Sequence, residues 1–135
     1  MEIKLTKQRM GWQPAPAKPS TATKNQIADQ AEPLIAEFKR KCVLPENANA
    51  HFNYLVDIYG RWRGKYFYFC GKYHSASPIA ISPEFETKFA RLEYMGEDSF
   101  NLAYMRHTGQ WFELFQELSL DKCFNEIKNL PHFMP

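Results

Sequence analysis

Cys70 and His74 stand in Cys-x-x-x-His spacing, and His51, His107 and His132 supply further imidazoles, the donor types of a zinc site. A structural zinc site draws its ligands from two close-spaced pairs, and the chain has no second pair. The spacing therefore reads as a small strand residue followed by a loop histidine, and no metal or other cofactor is expected. Cys70 as a nucleophile has no activating base or helix N-terminus beside it in the sequence. Arg91, Glu93, Arg106 and His107 are the types that acid-base cleavage of a phosphodiester on an antiparallel sheet would need. Arg106 and His107 are consecutive, so in a strand their side chains point to opposite faces, and Glu93 lies about 10 Å from Arg106 by ladder spacing. Gly60-Arg-Trp-Arg-Gly64 reads as a turn whose glycines supply backbone freedom, and no helix follows it that would hold a phosphate.

The elements that position these residues begin with the stretch from His51 to Tyr73. Phe52, Tyr54, Val56 and Ile58 recur at every second position and Phe67 and Phe69 continue the pattern, the period of two strands joined by a tight turn. With Trp62-Arg63 at the tip, flanked by Arg61 and Gly64, Ile58 faces Phe67 and Val56 faces Phe69. The opposite face then carries Asn53, Leu55, Asp57, Tyr59, Tyr66, Tyr68 and Cys70. Trp62 at such a tip either folds back onto Tyr59 or Tyr66 or anchors a partner, and folding back is the commoner device.

Three further strands follow, Phe85 to Met95, Phe100 to His107 and Gln110 to Leu118, separated by the turn compositions Gly96-Glu-Asp-Ser99 and Thr108-Gly109. These turns place Met105 beside Ala90 and Phe112, and Ala103 beside Leu92 and Leu114, an apolar face whose alanines leave room for a helix. The other face carries Phe89, Arg106 and Trp111 in one row, Arg91, Tyr104 and Glu113 in the next, and Glu93, Leu102 and Phe115 in the third. Arg106 is expected to stack on Trp111 there.

Asn25 is the expected N-cap of a first helix in which Ile27, Ala31, Leu34, Ile35, Phe38 and Cys42 follow the helical period. Pro33 interrupts it, so the firm helix is expected from about Pro33 to Lys41, with Lys39, Arg40 and Lys41 complementing its dipole. Ser119 caps a last helix with Leu120, Cys123, Phe124, Ile127 and Leu130 on one face, ending before Pro131. The order gives an α+β fold, a five-stranded antiparallel meander with an N-terminal and a C-terminal helix packed on one face. Residues 1–24, with Pro14, Pro16 and Pro19, read as a flexible basic tail and 25–135 as a single domain. Met1 to Met10 is also compatible with an extra edge strand.

Ala90-Arg-Leu-Glu-Tyr94, Tyr104-Met-Arg-His107, Gly109-Gln-Trp111, Ser119-Leu120, Glu126-Ile127 and Pro131 with Phe133 resemble, in order and spacing, a family of small bacterial proteins known only as a domain of unknown function. The resemblance covers roughly the last fifty residues well and the first helix more loosely. It implies a bacterial, cytoplasmic setting and the helix-sheet-helix order, and no chemistry.

Charge distribution narrows the function further. Met1 to Lys24 carries five basic residues and one acid, a net of +4, while the remainder is net −2, so the body lacks the basic balance of a dedicated nucleic-acid-binding domain. No run approaches the ~20 apolar residues of a membrane span and the first thirty residues lack a secretory signal, so no membrane partner and a cytoplasmic location are expected. Three cysteines, each inside a hydrophobic pattern, suit reduced thiols. The reading that follows is a non-enzymatic binding module. Arg91, Glu93, Tyr104, Arg106 and Trp111, with Arg61, Trp62 and Arg63 at the hairpin tip, form an aromatic and charged surface for a protein partner or a second copy of the chain. The alternative is single-stranded nucleic acid, with bases stacked on Tyr104 and Trp111 and the backbone on the basic tail. A sheet-based phosphodiesterase is third.

Overall fold

In the computed structural model, which describes residues 18–48, 51–77 and 82–135, the Ser20 hydroxyl accepts the Thr23 N–H at 3.1 Å and caps a helix, α1 (Thr21–Cys42). The cap lies five residues before Asn25, and the helix runs through Pro33 instead of restarting there. Pro33 is exposed, so the carbonyl that loses its hydrogen bond lies on the solvent side, where water replaces the missing donor. Ile27, Ala31, Leu34 and Ile35 keep one buried stripe across the break, and that burial carries the helix through it. Of the flexible tail expected over residues 1–24, residues 1–17, with the Met1 to Met10 edge strand, lie outside the described residues, while Thr21 to Lys24 are the first turn of α1.

After a 3-10 turn at Pro45–Asn47 come β1 (Tyr54–Arg63), β2 (Tyr66–His74), β3 (Glu84–Tyr94), β4 (Phe100–Met105) and β5 (Trp111–Leu118), then α2 (Leu120–Asn129). The strands form one sheet in chain order, each neighbouring pair antiparallel. Both helices pack on one face, where Phe38 of α1 meets Phe89 at 5.4 Å and Phe124 of α2 meets Phe69 at 6.1 Å. This is the α+β meander that the hydrophobic pattern predicts.

The first hairpin tip is displaced from its expected place. Arg63 pairs with Tyr66 around Gly64-Lys65, with Gly64 at φ +59°, so Gly60-Arg-Trp-Arg lies inside β1 and is not a turn. Ile58 faces Gly71, Gly60 faces Phe69 and Trp62 faces Phe67, a slip of four residues from the expected pairing. An even slip preserves faces, so Ile58, Phe67 and Phe69 still point at the helices. A bulge at Val56 reverses β1 before that point and sends Leu55 into the core in place of Val56. Gly60 has a steric reason to be glycine, since a Cβ there would come 2.3 Å from Cζ of the buried Phe67 ring.

The later turns change more. Tyr94 pairs with Phe100 around residues 95–99, and Met105 pairs with Trp111 around residues 106–110. These odd-length turns, with Gly96, Glu97 and Gly109 at positive φ, move the register by one residue and turn β4 over. Leu102 and Tyr104 therefore join Phe112 on the helix face, while Ala103 and Met105 lie on the open face, the reverse of the arrangement expected for β4. A bulge at Phe89 turns that ring inward onto Phe38 and Phe69. With Phe115 also packed against the core, Phe89, Leu102 and Phe115, expected on the face opposite the helices, are part of the interior, and of the apolar residues expected there Trp111 stays on the open face.

Ser119 caps α2 as expected, accepting from the Lys122 N–H at 3.3 Å, and Asp98 accepts the Leu120 N–H at 2.8 Å, which ties the β3–β4 turn to the helix start. Phe69 and Ile127 are no more than 1% exposed, so Phe69→Ala and Ile127→Ala are each expected to cost about 2–5 kcal/mol in urea unfolding. Gly60→Val is expected to cost about 1–3 kcal/mol, because the Phe67 ring has no free space to retreat into. An unchanged urea midpoint for Gly60→Val would mean that the ring does not cross β1 there.

Candidate functional site

On the sheet face away from the helices, β2 presents Tyr66, Tyr68 and Cys70. Tyr59, Arg61 and Arg63 of β1 flank them on one side, and Glu86, Lys88, Arg91 and Glu93 of β3 on the other. The row of Arg61, Tyr68 and Arg91 continues through Ala103 on β4 to Glu113 on β5, with Trp111 one position along.

Arg91 sits at the centre of this face. Its guanidinium carbon lies 4.8 Å from the Tyr66 ring centroid and 5.1 Å from that of Trp111. Reaching Trp111 requires it to pass over β4 at Ala103, where a single methyl group leaves the way clear. Tyr68 lies 5.7 Å from Trp111, and the Lys88 ammonium is 5.6 Å from the Tyr68 ring. Partly desolvated cation–aromatic contacts of this kind contribute about 0.5–2 kcal/mol each. The Arg91 Nε is buried without a hydrogen-bond acceptor, and Arg91 forms no ion pair among the described residues.

The cations around it are mostly neutralised. Glu86 accepts from the Tyr59 hydroxyl, from Arg61 at 2.7 Å and from Lys88 at 3.2 Å. Burial works against the Glu86 charge, but hydrogen bonds from Tyr59 and Lys88 and the field of Arg61 outweigh it and hold the carboxyl below its ordinary 4.5. Burial, then the bond to Glu86, pushes the Tyr59 hydroxyl well up. Lys65 reaches Glu93 at 2.7 Å, which raises the ammonium's pKa, and Asn101 donates to the same carboxylate at 3.4 Å. Cys70 lies beneath this layer, and burial pushes its thiol up to about 11. General acid-base chemistry needs groups poised near neutrality, and Tyr59, Cys70, Glu86 and Lys65 all move away from it.

The sequence-predicted residues divide between the two faces. Arg61, Arg63, Arg91, Glu93 and Trp111 share the open face. Tyr104 faces the helices, where it meets His132 at 4.7 Å and Phe112 at 5.7 Å. Arg106 leaves the strand for the exposed β4–β5 turn, and its guanidinium lies over Phe112 at 5.6 Å rather than on Trp111. Trp62 folds onto the core as packing, but on the helix face: its indole N–H donates to the Lys24 carbonyl at 3.0 Å and its ring meets Phe67 at 5.3 Å. Glu93 and Arg106 are therefore not brought together for phosphodiester chemistry. Among the described residues no group of three His, Cys, Asp or Glu side chains is placed to hold a metal ion, and no helix is long and apolar enough to cross a membrane. The strand period placed Tyr66 and Tyr68 on this face, but nothing local singled out Glu86 as the acceptor for Tyr59 and Arg61, which lie more than twenty residues away.

The domain of unknown function DUF3024 matches residues 19–135. The chain belongs to this family. The match takes in α1 and the whole open face as well as the C-terminal strands, and DUF3024 membership assigns no reaction, cofactor or partner. No curated protein and no solved structure matches the chain.

Two measurements test the burial and electrostatics of this DUF3024 chain. Burial raises the thiols of Cys70 and Cys123, to about 11 and about 12, while Cys42 is half-buried. Thiol modification of the folded chain at neutral pH should show one fast cysteine and two slow ones, and three fast ones in denaturant. The Glu86 carboxyl titrates lower when folded than its ordinary 4.5, so the stability it contributes is present above that value and lost as pH falls through the folded one. Glu86→Gln should therefore destabilise the fold by about 1 kcal/mol at neutral pH, as expected for a partly exposed cluster, and converge on wild type in acid.

Proposed function

We propose that the chain is a non-enzymatic protein-binding module that works through the open sheet face centred on Arg91. The observation that carries this reading is the arrangement of Arg91 between Tyr66 and Trp111, with Tyr68 alongside, on a face that neither helix covers. Arginine, tyrosine and tryptophan dominate interface hot spots, and side chains already held by their neighbours lose little entropy when a partner docks. Half-buried rings with polar ends suit a contact that must also be stable in water.

Single-stranded nucleic acid is the weaker reading. Glu86 holds Arg61 and Lys88, and Glu93 holds Lys65, so these cations are committed to carboxylates rather than available to phosphates. One side of Tyr66 and one of Trp111 is occupied by Arg91, and Tyr104 faces the helices, which leaves little free ring surface for base stacking. Against a phosphodiesterase stand the pKa directions of Tyr59, Cys70 and Glu86 and the separation of Glu93 from Arg106. The setting we infer is the bacterial cytoplasm, and three free cysteines suit such a reducing compartment.

Photo-crosslinking tests this reading in living cells. A photoreactive side chain placed at Glu113 or Arg63, both on the open face, should give protease-sensitive adducts, and one at Asn125 on exposed α2 should give none. Nuclease-sensitive adducts, together with oligonucleotide binding that falls steeply with salt and disappears in Trp111→Ala, would replace protein by nucleic acid as the partner. The absence of adducts from both face positions would remove the reading altogether.

A further inference from the structure

We infer, resting on the protein-binding reading above, that the partner of the open face is a second copy of this chain, joined by reciprocal ion pairs between Arg91 of one copy and Glu113 of the other. On this face Arg63, Arg91 and Glu113 have no opposite charge among the described residues; Glu113 accepts only from the neutral Gln116 amide, at 2.6 Å. The strand positions of Arg91 and Glu113 lie in the same row on either side of Ala103, about 10 Å apart at the backbone, and the Arg91 guanidinium leans across Ala103 toward β5.

That placement selects a symmetry. A two-fold axis passing between the Arg91 guanidinium and Glu113 brings each Arg91 opposite Glu113 of the second copy, so both pairs form in one isologous contact. An axis through the guanidinium itself, where it crosses Ala103, would instead stack guanidinium on guanidinium. Ala103, 1% exposed, lies beneath the Arg91 side chain that crosses it and is not itself part of the contact. Met105 and Trp111 lie beside it and contribute apolar area.

Charge complementarity distinguishes a second copy from other occupants. An acidic segment or a polyanion would satisfy Arg91 but meet Glu113 as a like charge, and a basic segment would do the reverse. A surface that carries both members of an ion pair in one row is complementary to itself. The pairing also gives the Nη hydrogens of Arg91 a carboxylate, while the guanidinium rests against Tyr66 and Trp111.

Sedimentation velocity of the full chain over a wide concentration range tests this directly. Wild type should shift toward twice the monomer mass as concentration rises. Arg91→Glu and Glu113→Arg should each weaken association at least tenfold, and an equimolar mixture of the two variants should restore it, because the reversed charges meet across the axis. Glu113 is exposed, so Glu113→Arg is expected to fold even if the half-buried Arg91→Glu does not. A wild type that stays monomeric throughout, single variants that associate like wild type, or a mixture of folded variants that stays monomeric would each overturn the second copy as partner. Crosslinked adducts of a mass other than twice the chain would in that case leave the protein-binding reading intact and give this face a different partner.

Discussion

Two layers of side chains leave β2 in opposite directions, and neither can be altered without moving the other. Phe67 and Phe69 go inward, edge-to-face at 5.5 Å, and Phe69 also meets Phe89 and Phe124. Tyr66, Tyr68 and Cys70 go outward and form the floor on which Arg91 and Lys88 lie. Because one backbone carries both layers, the close packing that fixes the phenyl rings also fixes where the tyrosines stand. The open face is thus held by the core beneath it, and both helices contribute to its geometry without touching it.

The electrostatics of that face follow from burial. Cys70 is covered entirely by side chains of its own face, and the burial that raises its thiol also reaches Glu86, whose charge is held by its partners. Glu86 satisfies two cations and a phenol, and Glu93 satisfies Lys65. Arg91 is the exception at the centre of this layer, offset by aromatic rings rather than by a carboxylate. Its contacts with the two rings use none of its N–H donors and its Nε has no acceptor, the condition of a group that still has hydrogen bonds to give.

Two places depend on what a side chain lacks. Gly60 lets the Phe67 ring lie across β1, and Ala103 lets Arg91 cross β4. Both residues are small for a reason that lies on another strand.

The order of elements, the apolar stripes of the two helices, the cap at Ser119 and the stop before Pro131 were legible in the sequence, because each depends on the periodicity or chemistry of a few consecutive residues. The alternation of β2 also assigned Phe67, Phe69, Tyr66 and Tyr68 to their faces, and this survived a misplaced hairpin tip because the slip was by four residues, an even number. What only the tertiary structure decided was parity in β4. Turns at residues 95–99 and 106–110 with odd numbers of residues inverted the faces of Leu102, Ala103 and Tyr104, removed Tyr104 from the open face and brought Ala103 beneath Arg91. Bulges at Val56 and Phe89 did the same over single residues, turning Leu55 and Phe89 inward. Side-chain period is two, so one residue of loop or bulge reverses a whole strand, and the choice between neighbouring registers rests on which one packs against α1 and α2. That comparison joins residues far apart in the chain, and no local window of sequence contains it.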